Sequence, residues 1–290
     1  MRISHFRSGL MRRGLAGLLA GVCVAGAIPA LAAGQASEPA RAPAAGAILT
    51  VDDLLHALES AGADLRALSA RVQYTRTFAI AGDTQTRQGQ LFYEVHGPAA
   101  DAQKRFAVRF ETLILQGGRV EEEVKEYVFD GEWFVERTPG TRQFVKRQVV
   151  PPGERFDPLK VGEGPFPLPI GQRRGDILAE YEASIIDATD GLNESLAAFV
   201  SRDAGTYRLR LIPRDPNAAA KEVEVWYRRD TLLPRLARTV SAEGDESFVQ
   251  MVDVRQNTEA TIDARIFDTN PPRGGRGWDV RIEPWRGGGE

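Results

Sequence analysis

Side chains able to do chemistry are few in this 290-residue chain and poorly spaced for it. The histidines are His5, His56 and His96, and no His-x-x-x-His or Cys-x-x-Cys pair occurs. A zinc site would have to be gathered from scattered carboxylates, which zinc seldom prefers. There is no Gly-x-Ser-x-Gly elbow and no phosphate-cradling glycine loop. Gly162-Glu163-Gly164 sits among prolines, not between a strand and a helix. Glu121-Glu122-Glu123 could serve a carboxylate hydrolase, but the run also reads as the solvated face and edge of a strand, where charge deters edge pairing. Asn193-Glu194-Ser195 matches a glycosylation sequon, a pattern common by chance. The expectation is a non-enzyme with no catalytic residue, no metal and no cofactor.

Residues 1–33 read as a signal peptide. Arg2, Arg7, Arg12 and Arg13 form a basic region, an apolar run follows from Leu15 to Ile28, and Ala30-Leu31-Ala32 sets cleavage after Ala32 or Ala33. The apolar run is short and studded with glycine, too weak for a stable span. Arg12-Arg13 leaves the general and twin-arginine export routes both open. Cys23, the single cysteine, lies inside this run behind the bulky Val22, which disfavours lipid anchoring there. Cleavage takes the formal charge from −3 to −7 and removes all thiol chemistry. A mildly acidic exported protein is a poor partner for nucleic acid or for anionic lipid surfaces.

Residues 34–49, rich in Ala, Pro and Gly, read as a flexible linker. Thr50 then caps a helix, with Asp53 in the capping-box position and Leu54, Leu55 and Leu58 at helical spacing over Val51–Ser60. From Ala70 the period becomes two, with strands expected up to Ile80, over Thr84–Val95, Arg105–Leu115 and Glu122–Phe129, and again over Gln143–Val150. Asp130-Gly131 before Trp133-Phe134-Val135 is a two-residue hairpin signal. These segments form a six-strand antiparallel meander.

Pro151 to Arg174 is a proline-rich connector, because proline removes amide donors and prevents regular pairing. A short helix is expected over Asp176–Tyr181, then strands at Tyr207–Ile212, Lys221–Tyr227, Pro234–Val240 and Ser247–Val254. Residues 274–290 read as a flexible tail, so one β-domain spans 50–273. About ten strands make a sheet too wide to stay flat; it must curl into a barrel, a half-barrel or two layers.

Val72, Tyr74, Phe78, Leu91, Tyr93, Phe106, Val108, Phe110, Tyr127 and Phe129 fall in one phase of successive strands. They form either a core sealed by the helices or a cleft open to an apolar ligand. Arg76 shares that phase between Tyr74 and Phe78.

The second half carries Tyr207-Arg208-Leu209-Arg210-Leu211-Ile212-Pro213, Asp215-Pro216-Asn217, Glu222-Val223-Glu224-Val225-Trp226, Leu233-Pro234-Arg235-Leu236, then Phe267-Asp268 and Pro271-Pro272. The first half carries Leu68-Ser69-Ala70, Gly89-Gln90-Leu91 and Asp130-Gly131-Glu132-Trp133-Phe134. This ordered series, over roughly residues 54–280, resembles the LolA-like outer-membrane lipoprotein carriers and their lipoprotein-sorting relatives. The resemblance implies a strongly curved, incomplete antiparallel β-barrel with few helices covering its concave face. It implies a periplasmic monomer that binds lipoprotein acyl chains or related lipid, between an inner-membrane donor and an outer-membrane acceptor, under a mobile helix-bearing lid. On that basis the ten apolar residues form the cavity wall, and Phe166, Leu168 and Ile170 in the connector are candidate gate elements. Typical carriers place an arginine before a proline after the second strand; this chain has His96-Gly97-Pro98, which leaves Arg76 as the candidate switch. Relatives with regulatory roles keep a second reading open, a sensor or scaffold that binds a protein partner.

Overall fold

The computed structural model describes residues 48–97, 102–151, 173–272 and 277–285. The expected signal peptide, most of the linker, and Phe166, Leu168 and Ile170 lie outside the described residues.

The chain opens with α1 (Val51–Ala63). Both halves of its capping box form: Asp53 N donates to Thr50 Oγ1 at 3.1 Å, and Thr50 N donates to Asp53 Oδ2 at 3.0 Å. The six-strand meander follows as β1 (Ala67–Thr77), β2 (Thr84–His96), β3 (Gln103–Leu115), β4 (Val120–Phe129), β5 (Trp133–Thr138) and β6 (Gln143–Gln148). Next come α2 (Arg174–Glu180), β7 (Tyr181–Ile186) and α3 (Glu194–Val200). A second meander runs through β8 (Thr206–Pro213), β9 (Ala220–Arg228), β10 (Pro234–Ser241) and β11 (Glu246–Gln256). The last strand is β12 (Asp279–Glu283).

Among the described residues, twelve strands form one sheet in the order β12-β6-β5-β4-β3-β2-β1-β11-β10-β9-β8-β7. The β1–β11 pairing joins the two meanders, and only β12 runs parallel to its neighbour. The sheet is open, ending at β7 and β12 without closing on itself. Laid flat, twelve strands would span more than about 50 Å. One apolar cluster nevertheless joins residues of β1–β4 and of β7–β11 with both α1 and α2, so the incomplete barrel is the architecture.

Gly89 marks one place where the sheet bends. Register shifts fall at Gln88/Gly89 in the β2–β3 ladder and at Phe110/Thr112 in the β3–β4 ladder. A Cβ on Gly89 would collide with the Arg109 carbonyl oxygen and stand 2.7 Å from Phe110 Cα. Glycine inside a strand is here the condition for two backbones to meet at a bulge.

Three elements depart from expectation. The strand β7 begins directly where α2 ends, so Tyr181 belongs to the sheet. The helix α3 was unforeseen: Asn193 of the sequon is its N-cap, its side chain accepting from Leu196 N at 2.9 Å. The segment expected to be a flexible tail contributes β12, with Val280 beside Phe144 and Ile282 beside Lys146.

The helices also do not all cover one side. The face under α1 and α2, here the inner face, carries the main core. On the outer face, α3 sets Phe199 and Val200 against Trp226 and Leu236. Arginines fasten this cover. Arg208 donates to the carbonyls of Asp187 and Asp190 at 3.1 and 2.6 Å, and Arg235 to those of Phe199 and Arg202 at 3.3 and 2.9 Å. Arg208 also meets both carboxylate oxygens of Glu224 at 2.8 Å, with the two side chains 7% and 2% exposed. Farther along the same face, Phe267 in the 3-10 turn Ala264–Phe267 packs with Ala107, Val128, Val135 and Phe144.

Replacing Gly89 by alanine should cost about 2–4 kcal/mol, because the collision is with backbone that cannot rotate away. Urea unfolding measures this; a midpoint shift as small as that of a surface substitution would show that the strands can separate there.

Candidate functional site

The inner face was assembled from two-residue periodicity, and the structure keeps most of it. Val72, Leu91, Tyr93, Phe106, Val108, Phe110 and Phe129 are buried in the main core, and Tyr74 and Tyr127 pack against it. Phe78 does not join them. The strand β1 ends at Thr77, and Phe78 enters the turn, its N–H donating to the Asp83 carbonyl at 2.9 Å and its carbonyl accepting from Gly82 N at 2.8 Å.

Phe134 belongs to this face and was missed. It pairs with Phe129 across the Asp130-Gly131 turn, and cross-strand partners share a face. A two-residue Asp130-Gly131 loop would put Glu132 opposite Phe129, two residues from the observed register, but it already places Phe134 on the Phe129 face. Phe134 completes a file of rings: Tyr74 to Phe110 at 6.2 Å, Phe110 to Tyr127 at 6.4 Å, Tyr127 to Phe134 at 6.0 Å, Phe134 to Phe106 at 6.3 Å and Phe106 to Phe129 at 5.9 Å. The file crosses β1, β3, β4 and β5, and rings at such spacings attract beyond their simple burial.

Charged groups border the file toward the β1–β2 and β3–β4 turns. Lys125 Nζ lies 2.8 Å from Glu136 and 5.3 Å from the centre of the Tyr127 ring. Burial opposes the lysine charge, but Glu136 and the Tyr127 hydroxyl outweigh it and raise the lysine pKa. Burial likewise raises that of Tyr127, so at neutral pH the lysine is charged and the phenol is not. Glu123 of the acidic run meets Arg87 at 3.1 Å, which gives that carboxylate an ordinary ion-pair role. His56 and His96 are both exposed. Among the described residues no group of three or more His, Cys, Asp or Glu is placed to hold a metal ion, and no helix is long and apolar enough to cross a membrane.

Arg76 is tied down. Its Nη2 donates to Asp245 Oδ2 at 2.6 Å and its guanidinium lies 4.7 Å over the Phe78 ring. Asp245 also accepts from Ala79 N at 2.9 Å. Arg76 thereby pins the end of β1 to the β10–β11 turn, a contact that accounts for its position on structural grounds.

The cover of the inner face is fastened differently from α3. The helices α1 and α2 pack on one another and on β7, with Leu54 and Leu55 of α1 and Ile177 of α2 buried. Their polar link joins Arg174 Nε to Asp52 Oδ1 at 2.6 Å, between side chains 41% and 57% exposed. An exposed pair of this kind contributes about 0–1 kcal/mol. The junction of α1 with β1 is firmer: Asn257 Oδ1 accepts from Arg66 N at 2.8 Å and Ala67 N at 3.3 Å, and Asn257 Nδ2 donates to the Asp64 carbonyl at 3.2 Å. The helix α1 thus has a fixed root and an exposed clasp to α2, and Arg214 ties α2 to the end of β8 through the Leu178 and Glu180 carbonyls at 3.3 and 2.8 Å.

No protein-family model matches the sequence, and no curated protein matches it. Solved structures with similar coordinates include a LolA superfamily protein from Nitrosomonas europaea, at 11% identity and a TM-score of 0.32 over 76% of this chain and 98% of that one. A putative outer-membrane lipoprotein-sorting domain from Vibrio parahaemolyticus gives 11% identity and a TM-score of 0.33 over 75% and 95%. The Pseudomonas aeruginosa MucA/MucB complex gives 16% and 0.36 over 74% of this chain and 59% of that one.

Two outcomes are expected. Asn257→Gly keeps the left-handed backbone at this position (φ 50) but removes its three side-chain bonds. Hydrogen exchange across Val51–Ala63 should then quicken about tenfold while the sheet stays protected; unchanged exchange would show that the root lies elsewhere. Asp245 is held below its ordinary range, first by the Ala79 amide and then by Arg76. A depressed carboxylate stabilises above its unfolded pKa of about 3.9 and loses that contribution as pH falls through the folded value. The acid limb of the melting-temperature curve should therefore be flatter in Asp245→Asn than in the native chain.

Proposed function

We propose that this chain is an exported, monomeric periplasmic carrier that holds a lipoprotein acyl chain, or a related lipid, against the aromatic half of its inner face. The observation that carries the reading is the ring file from Tyr74 to Phe129, set away from the β7 end where α1 and α2 pack. Phe106, Phe110 and Phe129 are no more than 1% exposed, so a lipid reaches them only when the core around them opens. Each methylene that leaves water contributes roughly 0.8 kcal/mol, and a long chain on the order of 10 kcal/mol before ordering costs. The ordered motifs shared with the lipoprotein carriers support the same reading, with a donor at one membrane and an acceptor at the other. It assigns the protein no reaction and no cofactor.

A second reading is favoured by the filled interior: Leu91, Phe106, Phe129, Leu209 and Val223 meet in one core. A scaffold that binds a protein partner needs no internal space.

Lipid extraction from the purified exported protein, followed by mass spectrometry, separates the two. The carrier reading expects bound lipid and saturable quenching of a fluorescent fatty-acid probe. It expects about tenfold weaker binding in Tyr127→Leu, a change small enough to leave the core folded. Protein that is empty on isolation and indifferent to the probe would sink it and leave the scaffold.

A further inference from the structure

The outer face is apolar at both flanks, under α3 and under the Phe267 turn, but between those covers its floor is polar. Gln250 of β11 pairs with Gln73 of β1, Gln73 with Gln88 of β2, and Gln88 with Thr112 of β3. Four hydrogen-bonding side chains therefore stand side by side across four strands. A second row places Arg71 beside Gln90. These residues line one cleft of about 360 Å³, within the size range of small-ligand sites.

The floor is chemically specific. Its charged members are already neutralised: Arg71 Nε donates to Asp253 at 2.7 Å, and Glu111 meets Arg109 at 3.2 Å. Gln88 Nε2 donates to Gln73 Oε1 at 3.1 Å, which orients two amides of the row. Gln90 and Gln250 make no side-chain hydrogen bond to any described residue. What the cleft offers is a set of uncharged groups that both donate and accept. That suits a ligand dense in hydroxyls and without net charge.

Spacing narrows the class further. Laterally paired side chains repeat at the strand separation, roughly 4.8 Å. That is close to the advance per ring of a β-linked pyranose chain, so a glycan lying across the strands would meet one row position per sugar. An extended peptide repeats every 3.3 Å or so and falls out of step. We propose that this cleft is a binding site for a neutral glycan chain, running across β11, β1, β2 and β3. It is on the opposite face from the proposed lipid site and stands or falls independently of it.

The test titrates the isotope-labelled exported chain with neutral β-linked glucose and N-acetylglucosamine tetrasaccharides. Saturable shifts of the Gln73, Gln88 and Gln250 side-chain amide signals are expected. Gln73→Ala with Gln88→Ala should weaken binding at least about tenfold at an unchanged melting temperature. Gln250→Ala, a single surface change, should weaken it less but measurably. Absence of shifts at millimolar sugar, affinity unaffected by either variant, or equal competition by an extended peptide would each overturn the proposal.

Discussion

A wide sheet has two faces, and in this chain both are apolar over much of their width. Removing both from water is the constraint on which the other elements depend. On the inner side, buried residues from nine strands share one core with α1 and α2. On the outer side, α3 and the Phe267 turn each seal a smaller cluster. The strip between the outer covers needs no seal, because glutamine, threonine and arginine occupy it. Curvature serves the same end. With strands meeting closely at Gly89, the inner face draws together and needs less cover than a flat sheet would.

The covers differ in how they are fastened, and the difference maps onto what each could do. Around α3, Arg208 donates to the Asp190 carbonyl in the preceding loop, Arg235 to the Arg202 carbonyl just past the helix, and Trp226 Nε1 to the Ala188 carbonyl at 2.7 Å. Breaking a buried bond of this kind leaves charge without solvent, so α3 is a permanent part of the outer face. The inner cover has apolar contacts, an exposed ion pair, the Asn257 clamp at its root and the bonds from Arg214 to the Leu178 and Glu180 carbonyls of α2. Such an element opens at lower free energy than the sheet beneath it.

The file itself is chemically asymmetric. One end merges with the core at Phe129, while Lys125 and Glu136 flank Tyr127 midway and Arg87 pairs with Tyr74 at the other end. A long apolar body with a polar head would fit that polarity, with its tail among the rings and its head at the charged border.

Much of this was legible in the sequence. Two-residue alternation placed Phe106, Val108 and Phe110 on one face because side chains in a strand must alternate. The Thr50 cap is local chemistry and formed as the sequence implied; the hairpin after Phe129 formed too, but with Gly131-Glu132 rather than Asp130-Gly131 at its centre. Phe78 went astray because alternation does not say where a strand stops. The strand β7 was hidden because no turn residue separates it from α2, and α3 because seven residues are too few to be helical without Trp226 and Leu236 to pack on. The strand β12 has no local signal at all; it exists because β6 presents an edge. The Arg76–Asp245 pin and the glutamine row are of the same kind, joining β1 to residues some 170–180 positions away. The sequence by itself determined which way each side chain could point. Only the tertiary structure decided what stood opposite it, because pairing across a sheet is set by backbone hydrogen bonds between distant segments.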